Sequence, residues 1–279
     1  MDVAVGIVAQ RDNERAQELT ESLVGALADE RDGVDLVVDE ATGRAVDATA
    51  VPVDAMAGRD LVVSIGGDGT LLFVAREVGS TPILGVNLGE VGFLNAVSPE
   101  NALAVAVPLV ERLRRGDELE GRALDRLRAT GDDGWSLEPA LNEIVVHGPR
   151  RGHGGGATIE IRVAGNRYAE SHVDGVLVST PTGSTAYNLS EGGPLVHPTT
   201  DALVVTQMAA SDSMPPLVVS PETELTLSVS DAETAFVISD GRNRRELEPP
   251  VTISVSLADD PVTLVGPRTN FFRGLEKLE

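Results

Sequence analysis

The chain has 279 residues, 42% of them hydrophobic, enough for one large domain or two ordinary ones. Its 44 acids against 22 bases give a formal net charge of -22, a field that repels nucleic acid and anionic membrane surfaces. Cysteine is absent, which removes disulfides, thiolate nucleophiles and cysteine-ligated metals, and no run of 18 apolar residues marks a transmembrane helix. Met1-Asp2-Val3 lacks a basic flank and a cleavable apolar stretch, so the expected location is cytoplasmic. The acids are spread along the chain rather than gathered in a tail, which points to adaptation to high salt rather than to an acidic docking surface.

Residues 2–9, "DVAVGIVA", read as a buried strand. Residues 12–30 follow with helical spacing, Leu19, Leu23, Ala26 and Leu27 sharing one face. Strands are expected at 34–38 and 60–65, then a helix from about Thr70 to Val78, a strand at 81–89 and a helix at roughly 99–115. Strands alternating with helices predict a parallel sheet with helices on its faces, a Rossmann-like α/β domain. From Leu119 the texture changes to short alternating β-branched runs at 157–165, 224–231, 235–239 and 251–257, separated by turn pairs such as Asp240-Gly241. That pattern predicts a mostly antiparallel β domain after a boundary near 116–120. The glycine-rich "RRGHGGGA" at 150–157 is expected to be a hairpin loop, and "TNFFRGLEKLE" at the end a short amphipathic helix.

Three stretches carry chemistry. "SIGGDGTLL" (64–72) joins the third strand to a helix and sets three glycines around Asp68. In an open α/β sheet the carboxyl ends of the strands are where ligands bind. Glycines there let backbone N–H groups approach a phosphate, and the helix N-terminus adds roughly half a positive charge. A carboxylate at that point either takes a proton from an attacking hydroxyl, helps hold a magnesium ion, or simply caps the helix. A Walker-type loop is excluded because the chain's one lysine is Lys277, and the dinucleotide fingerprint fails because Leu72 stands where its last glycine belongs. "STPTGSTAYNLSEGGPLVHP" (179–198) crowds Thr180, Thr182, Ser184, Thr185 and Ser190 around Tyr187, with Ser184 expected to cap a helix from Thr185. Such a set suits hydrogen bonding to ribose, amide and phosphate with an aromatic for base stacking; a capped turn of small residues is the plainer alternative. "ALNEIVVHG" (140–148) pairs Asn142 with Glu143 at the mouth of a strand, and Asp174 precedes the strand leading to the threonine-rich loop. His147, His153 and His197 show no ligand spacing, so no structural metal is expected.

Together, "GGDGT" (66–70), "GVNLGEVGFL" (85–94), "NE" (142–143), "DGVLVSTPTGSTAYNLSEGGPLVHP" (174–198) and "FFRGLEKL" (271–278) resemble the NAD kinase family, in order and over most of the chain. The Asp174–Pro198 block is the specific piece; "GGDGT" is shared with lipid kinases and phosphofructokinase-like enzymes. The resemblance implies ATP-dependent phosphorylation of the 2′-hydroxyl on the adenosine ribose of NAD, with Mg²⁺ or another divalent cation accompanying ATP. It implies an N-terminal α/β domain over 1–116, completed by a returning segment at 265–279, and a C-terminal β-sandwich domain over 117–264. Asp68 is then the catalytic base, with Gly66, Gly67, Gly69 and Thr70 in the phosphate and dinucleotide loop. Asn142 and Glu143 bind the adenosine half, Thr182, Thr185 and Tyr187 line the adenine pocket, and Phe93 packs near the adenine. Asp174, Ala186 and Ser190 meet the nicotinamide riboside, and His172, Asn188 and Asp240 complete the binding set. The family's site is shared between subunits of a homodimer or homotetramer, so the resemblance implies self-association, with Asp174 acting on the partner's ligand. The chain departs from the family pattern at Glu90, in "AASDSMPPL" (209–217), at Arg242 and at His172. Two other readings stay open at this point: a non-catalytic NAD(P)-binding regulator, and a lipid or sugar kinase built on the same "GGDGT".

Overall fold

The computed structural model describes residues 2–29, 33–89, 92–150, 152, 155–209, 214–268 and 270–276. In chain order the strands are β1 (Val3–Ala9), β2 (Val34–Asp39), β3 (Ala50–Val51), β4 (Leu61–Gly66), β5 (Ile83–Asn87), β6 (Gly121–Leu124), β7 (Leu127–Gly131), β8 (Glu143–His147) and β9 (Ala157–Val163). They continue as β10 (Asn166–Val173), β11 (Gly175–Ser179), β12 (Leu203–Met208), β13 (Leu217–Val219), β14 (Leu225–Ser230), β15 (Ala235–Ser239), β16 (Asn243–Leu247), β17 (Val251–Leu257) and β18 (Val262–Val265). The α-helices are α1 (Glu14–Asp29), α2 (Asp68–Val78), α3 (Ala102–Arg114), α4 (Tyr187–Ser190) and α5 (Phe271–Leu275). Two compact units result, one of Met1–Leu124 with Asp260–Glu279 and one of Asp125–Asp259.

The first unit holds a seven-stranded sheet in the order β3-β2-β1-β4-β5-β18-β6. The β2, β4 and β5 neighbours run parallel, and only β6 runs antiparallel, against β18. Covered on both faces, a parallel sheet reads as continuous apolar runs, and every residue of β4 and β5 is buried. On α1, Ala16, Thr20, Leu23 and Leu27 are buried, while Leu19 and Ala26 are half-buried at the edge of that stripe. The chain moves outward from β1 through β2 to β3, then returns to β1's other side as β4. The β1/β4 boundary is therefore the topological switch point, where open α/β sheets keep their ligand crevice. Gly66, the last residue of β4, stands at its carboxyl end.

The second unit packs two antiparallel sheets, β10-β9-β14-β17-β7 and β13-β12-β11-β8-β15-β16. Alternate residues of β9 and β14 are buried, among them Ile159, Ile161, Leu225 and Leu227. They share one core with Ile144, Val146, Val176, Val178 and Val237 from the other sheet. This is a β-sandwich.

The expected hairpin at 150–157 is not one. β8 lies in the six-stranded sheet and β9 in the five-stranded sheet, so the glycine-rich segment carries the chain from one sheet to the other. Gly148 and Gly156 approach each other closely within it. His153 lies outside the described residues, as do Glu90 and residues 210–213 of the unusual segment.

Candidate active site

The glycine loop is better ordered than its composition suggests. The helix starts at Asp68, two residues before the expected Thr70, with Gly67 as its N-cap residue. Asp68 is thus the first helical residue and does not cap its own helix; its side chain turns to another loop. Oδ2 accepts from the Phe93 N–H at 2.8 Å. Oδ1 accepts from the Leu94 N–H at 3.3 Å, the Asn95 N–H at 3.4 Å and the Asn95 side-chain amide at 3.3 Å. Gly92 has to be glycine at this spot, because a methyl group there would overlap the Asp68 carboxylate. Gly67 and Gly69 are exposed and Thr70 is half-buried. Within the first turn the Thr70 N–H donates to the Gly67 carbonyl at 3.0 Å, which leaves the N–H groups of Asp68 and Gly69 without intrahelical partners, donors beside a fixed carboxylate. Phe93 packs on the terminal helix, its ring 5.9 Å from that of Phe271.

In the second unit, register brings three distant stretches to one end of three adjacent strands. Glu143, first in β8, pairs with Ser179, last in β11. Ser239, last in β15, pairs with Ile144. The Asn142-Glu143 pair, the loop after Ser179 and the turn at Asp240 therefore meet. Asp240, in the left-handed region at φ 46, turns its carboxylate back. It accepts from the backbone N–H groups of Leu141 at 2.7 Å, Asn142 at 2.8 Å and Glu143 at 3.2 Å. Thr180 braces the same loop, its hydroxyl donating to the Leu141 carbonyl at 2.6 Å and its N–H to the Asn142 carbonyl at 2.9 Å. A side chain at Gly183 would collide with that Asn142 carbonyl.

Glu143 is 6% exposed, and its Oε2 has no hydrogen-bond partner among the described residues. Burial, and then the nearby Asp240 charge, push its carboxyl up to about 8. At neutral pH it is a neutral acid that can donate a hydrogen bond.

Thr182, Thr185, Ala186 and Tyr187 are half-buried along the rim, and Ser190 is exposed. Tyr187 rests on the cluster of Val145, Leu177 and Met208. Ser184 does not cap a helix at Thr185. Residues Gly183–Thr185 form a 3-10 turn and α4 starts at Tyr187. The Ser184 hydroxyl instead donates to the Pro181 carbonyl at 2.7 Å and accepts from the Val196 N–H at 3.1 Å. Asn188 is fully buried; its amide donates to the Pro194 carbonyl at 3.0 Å, and its oxygen accepts from Thr206 at 2.8 Å. It ties the loop to β12.

Asp174 and His172 are not brought to this end. Asp174 precedes β11 and Thr180 follows it, which separates them by on the order of 20 Å at about 3.3 Å per residue. There Asp174 accepts from the Gly152 N–H at 2.7 Å, and the His172 Nε2 lies 2.9 Å from the Gly155 carbonyl. Among the described residues no group of three or more His, Asp or Glu gathers as a metal cage, and no described helix is long and apolar enough to cross a membrane.

Known proteins match both units. Residues 5–113 match the ATP-NAD kinase N-terminal domain and residues 141–266 the ATP-NAD kinase C-terminal domain. An NAD kinase from Haloarcula marismortui is 53% identical, over 99% of this chain and 100% of that one. The chain belongs to the NAD kinase family. Its fold is likewise that of an Archaeoglobus fulgidus NAD kinase solved in complex with ATP (TM-score 0.75, 25% identity, 99% of this chain and 98% of that one). Yeast NADH kinase, solved with NADH, superimposes at TM-score 0.84 with 22% identity, over 99% of this chain and 87% of that one. The chain is thus an enzyme, a kinase acting on NAD. For an NAD kinase, what the motifs do not reveal is how they are held in shape: by Gly92 and Asn95 around Asp68, and by Gly183 and Thr180 around Asn142, where Thr180 braces the loop instead of lining the base pocket. "VGFLNA" (91–96) and "STPTG" (179–183) contain them, but nothing local says what they touch.

Proposed function

We propose that this chain transfers the γ-phosphoryl group of ATP to the 2′-hydroxyl on the adenosine ribose of NAD, giving NADP and ADP, with Asp68 as the base. The observation that carries the reading is the fixed Asp68 carboxylate at the mouth of α2. The 2′-oxygen forms the new bond to phosphorus, the bond from γ-phosphorus to the ADP oxygen breaks, and the hydroxyl proton passes to the Asp68 carboxylate. Phosphoryl transfer asks for positioning and charge neutralisation more than covalent catalysis. The N–H groups of Asp68 and Gly69 at the start of α2, with Gly67 and Gly69 exposed there, supply donors for phosphate oxygens. Magnesium supplies the remaining positive charge and arrives bound to ATP as part of the substrate. Asn142 and a neutral Glu143 hold the adenosine, and Thr182, Thr185 and Tyr187 its base; Asp174, Ala186 and Ser190 take the nicotinamide riboside.

The opposite placements of Asp174 and the Thr182–Ser190 loop along β11 support a homodimer or homotetramer, in which Asp174 serves a neighbouring subunit's ligand. Light scattering is expected to give such a mass, and a fully active monomer would end that reading. The test of the chemistry is Asp68→Asn. NADP formation should fall roughly 10²- to 10⁴-fold while NAD still binds. Near-normal turnover would remove Asp68 from the role of base.

A further inference from the structure

The first unit contains a cavity of about 170 Å³ that the chemistry above does not use. It is too small for a nucleotide, since pockets for larger ligands run to roughly 300–1,000 Å³. Two arginines line it. Arg122 sits in β6 opposite Leu264 of β18, and Arg268 follows the end of β18. The antiparallel β6-β18 pairing thus brings two cations that are far apart in the sequence to one hollow.

This is an odd expenditure of cations in a chain with twice as many acids as bases. Among the described residues neither guanidinium has a hydrogen-bond or ion-pair partner, although Glu120 lines the same cavity. Arg122 is half-buried. Its burial, and then the charge of Arg268, lower its affinity for its own proton. Arg268 is exposed, so the cost falls on Arg122: a partly desolvated cation beside a second cation is less stable unless something negative enters.

We propose that Arg122 and Arg268 form a binding site for a small oxyanion of the inorganic phosphate type. The guanidinium fork matches the edge of a tetrahedral oxyanion and can bind it with two parallel hydrogen bonds. The site also adjoins the catalytic loop. Leu94 and Ala96 line the cavity, and Leu94 is one of the residues whose N–H reaches Asp68. An anion held there presses on the segment that fixes the Asp68 carboxylate.

The experiment is a titration of the full chain with inorganic phosphate at constant potassium concentration, followed by calorimetry and thermal unfolding. Wild type should bind saturably and its Tm should climb with phosphate. Arg122→Gln and Arg268→Gln should each weaken binding by roughly tenfold or more, and the double variant should give a flat response. Without phosphate the double variant should melt no lower than wild type, because a repulsion has been removed. The pair Arg122→Lys and Arg268→Lys keeps the charge but loses the fork, and should bind with intermediate affinity. Hydrogen exchange of the 92–97 segment should slow with phosphate in wild type and stay unchanged in the double glutamine variant. Unchanged phosphate affinity in that variant would overturn the proposal. So would a lower Tm for it without phosphate, which would make the arginines structural. Chloride binding as strong as phosphate would overturn the oxyanion assignment.

Discussion

Glu143→Gln tests the electrostatics of the Asn142-Glu143 loop. A carboxyl whose proton is held more tightly in the folded protein than in the unfolded chain makes the fold most stable at low pH. Glu143 ordinarily titrates at 4.5 and here at about 8. Below 4.5 both states are protonated and the group contributes nothing unfavourable. Between 4.5 and about 8 the unfolded chain ionises and the folded one does not, so stability falls with each step in pH. At about 1.4 kcal/mol per pH decade, the loss is roughly 3 kcal/mol at neutral pH and roughly 5 kcal/mol above 8. Glu143 is 6% exposed, so little solvent screening reduces this. Glutamine has nearly the same shape and no proton to lose. The variant should therefore match wild type near pH 4.5 and exceed it increasingly up to about pH 8, after which the gap is constant.

The chain's one tryptophan makes the measurement specific. Trp135 is packed in the core of the second unit, so its fluorescence in denaturant follows the unit that contains Glu143. Asp240→Asn supplies the check on cause. Removing the Asp240 charge lowers the pH at which Glu143 ionises, so the gap to a Glu143→Gln/Asp240→Asn variant should stop growing at a lower pH. A difference between wild type and Glu143→Gln that is the same at every pH would refute the reasoning.

Gly92→Ala places a methyl group against the Asp68 carboxylate; kcat should fall up to roughly a hundredfold with the fold intact by circular dichroism, and an unchanged kcat would mean that the carboxylate does not need that position. Raising KCl from about 0.1 to about 1 M shortens the screening length from about 10 to about 3 Å, and with a net charge of -22 the Tm should rise; a Tm that peaks in dilute buffer would oppose adaptation to salt.

Contiguous features were readable in the sequence and non-local ones were not. The buried runs of β1 and β4, the spacing of Leu23 and Leu27, and the alternation in β9 and β14 each state their environment within a few residues, so α/β followed by antiparallel β was legible. "GGDGT", "NE" and "STPTGSTAY" were legible for the same reason. The segment at 150–157 looked like a hairpin because glycines between two strands usually make one; which sheet receives β9 is decided by partners far along the chain. Ser184 has the composition of a cap, but Val196, twelve residues on, claims its hydroxyl. The role of Asp240 was hidden most deeply, since it acts on residues 97 to 99 positions away.

Asp68 and Asp240 turn out to be built alike and held differently. Each carboxylate is gripped by three consecutive backbone N–H groups, of residues 93–95 for one and 141–143 for the other. In both, oriented backbone amides do the gripping. Asp240 is held tightly, with two contacts at 2.7 and 2.8 Å, as suits a residue whose task is to fix the shape of the Asn142-Glu143 loop. Asp68 has one short contact, at 2.8 Å, and its other oxygen makes only contacts of 3.3 to 3.4 Å. Hydrogen bonds weaken at such lengths, so Oδ1 gives up little when a hydroxyl approaches. A base needs one oxygen anchored for aim and the other able to exchange partners; Asp68 has that asymmetry, which suits the role of base proposed for it, and Asp240 does not.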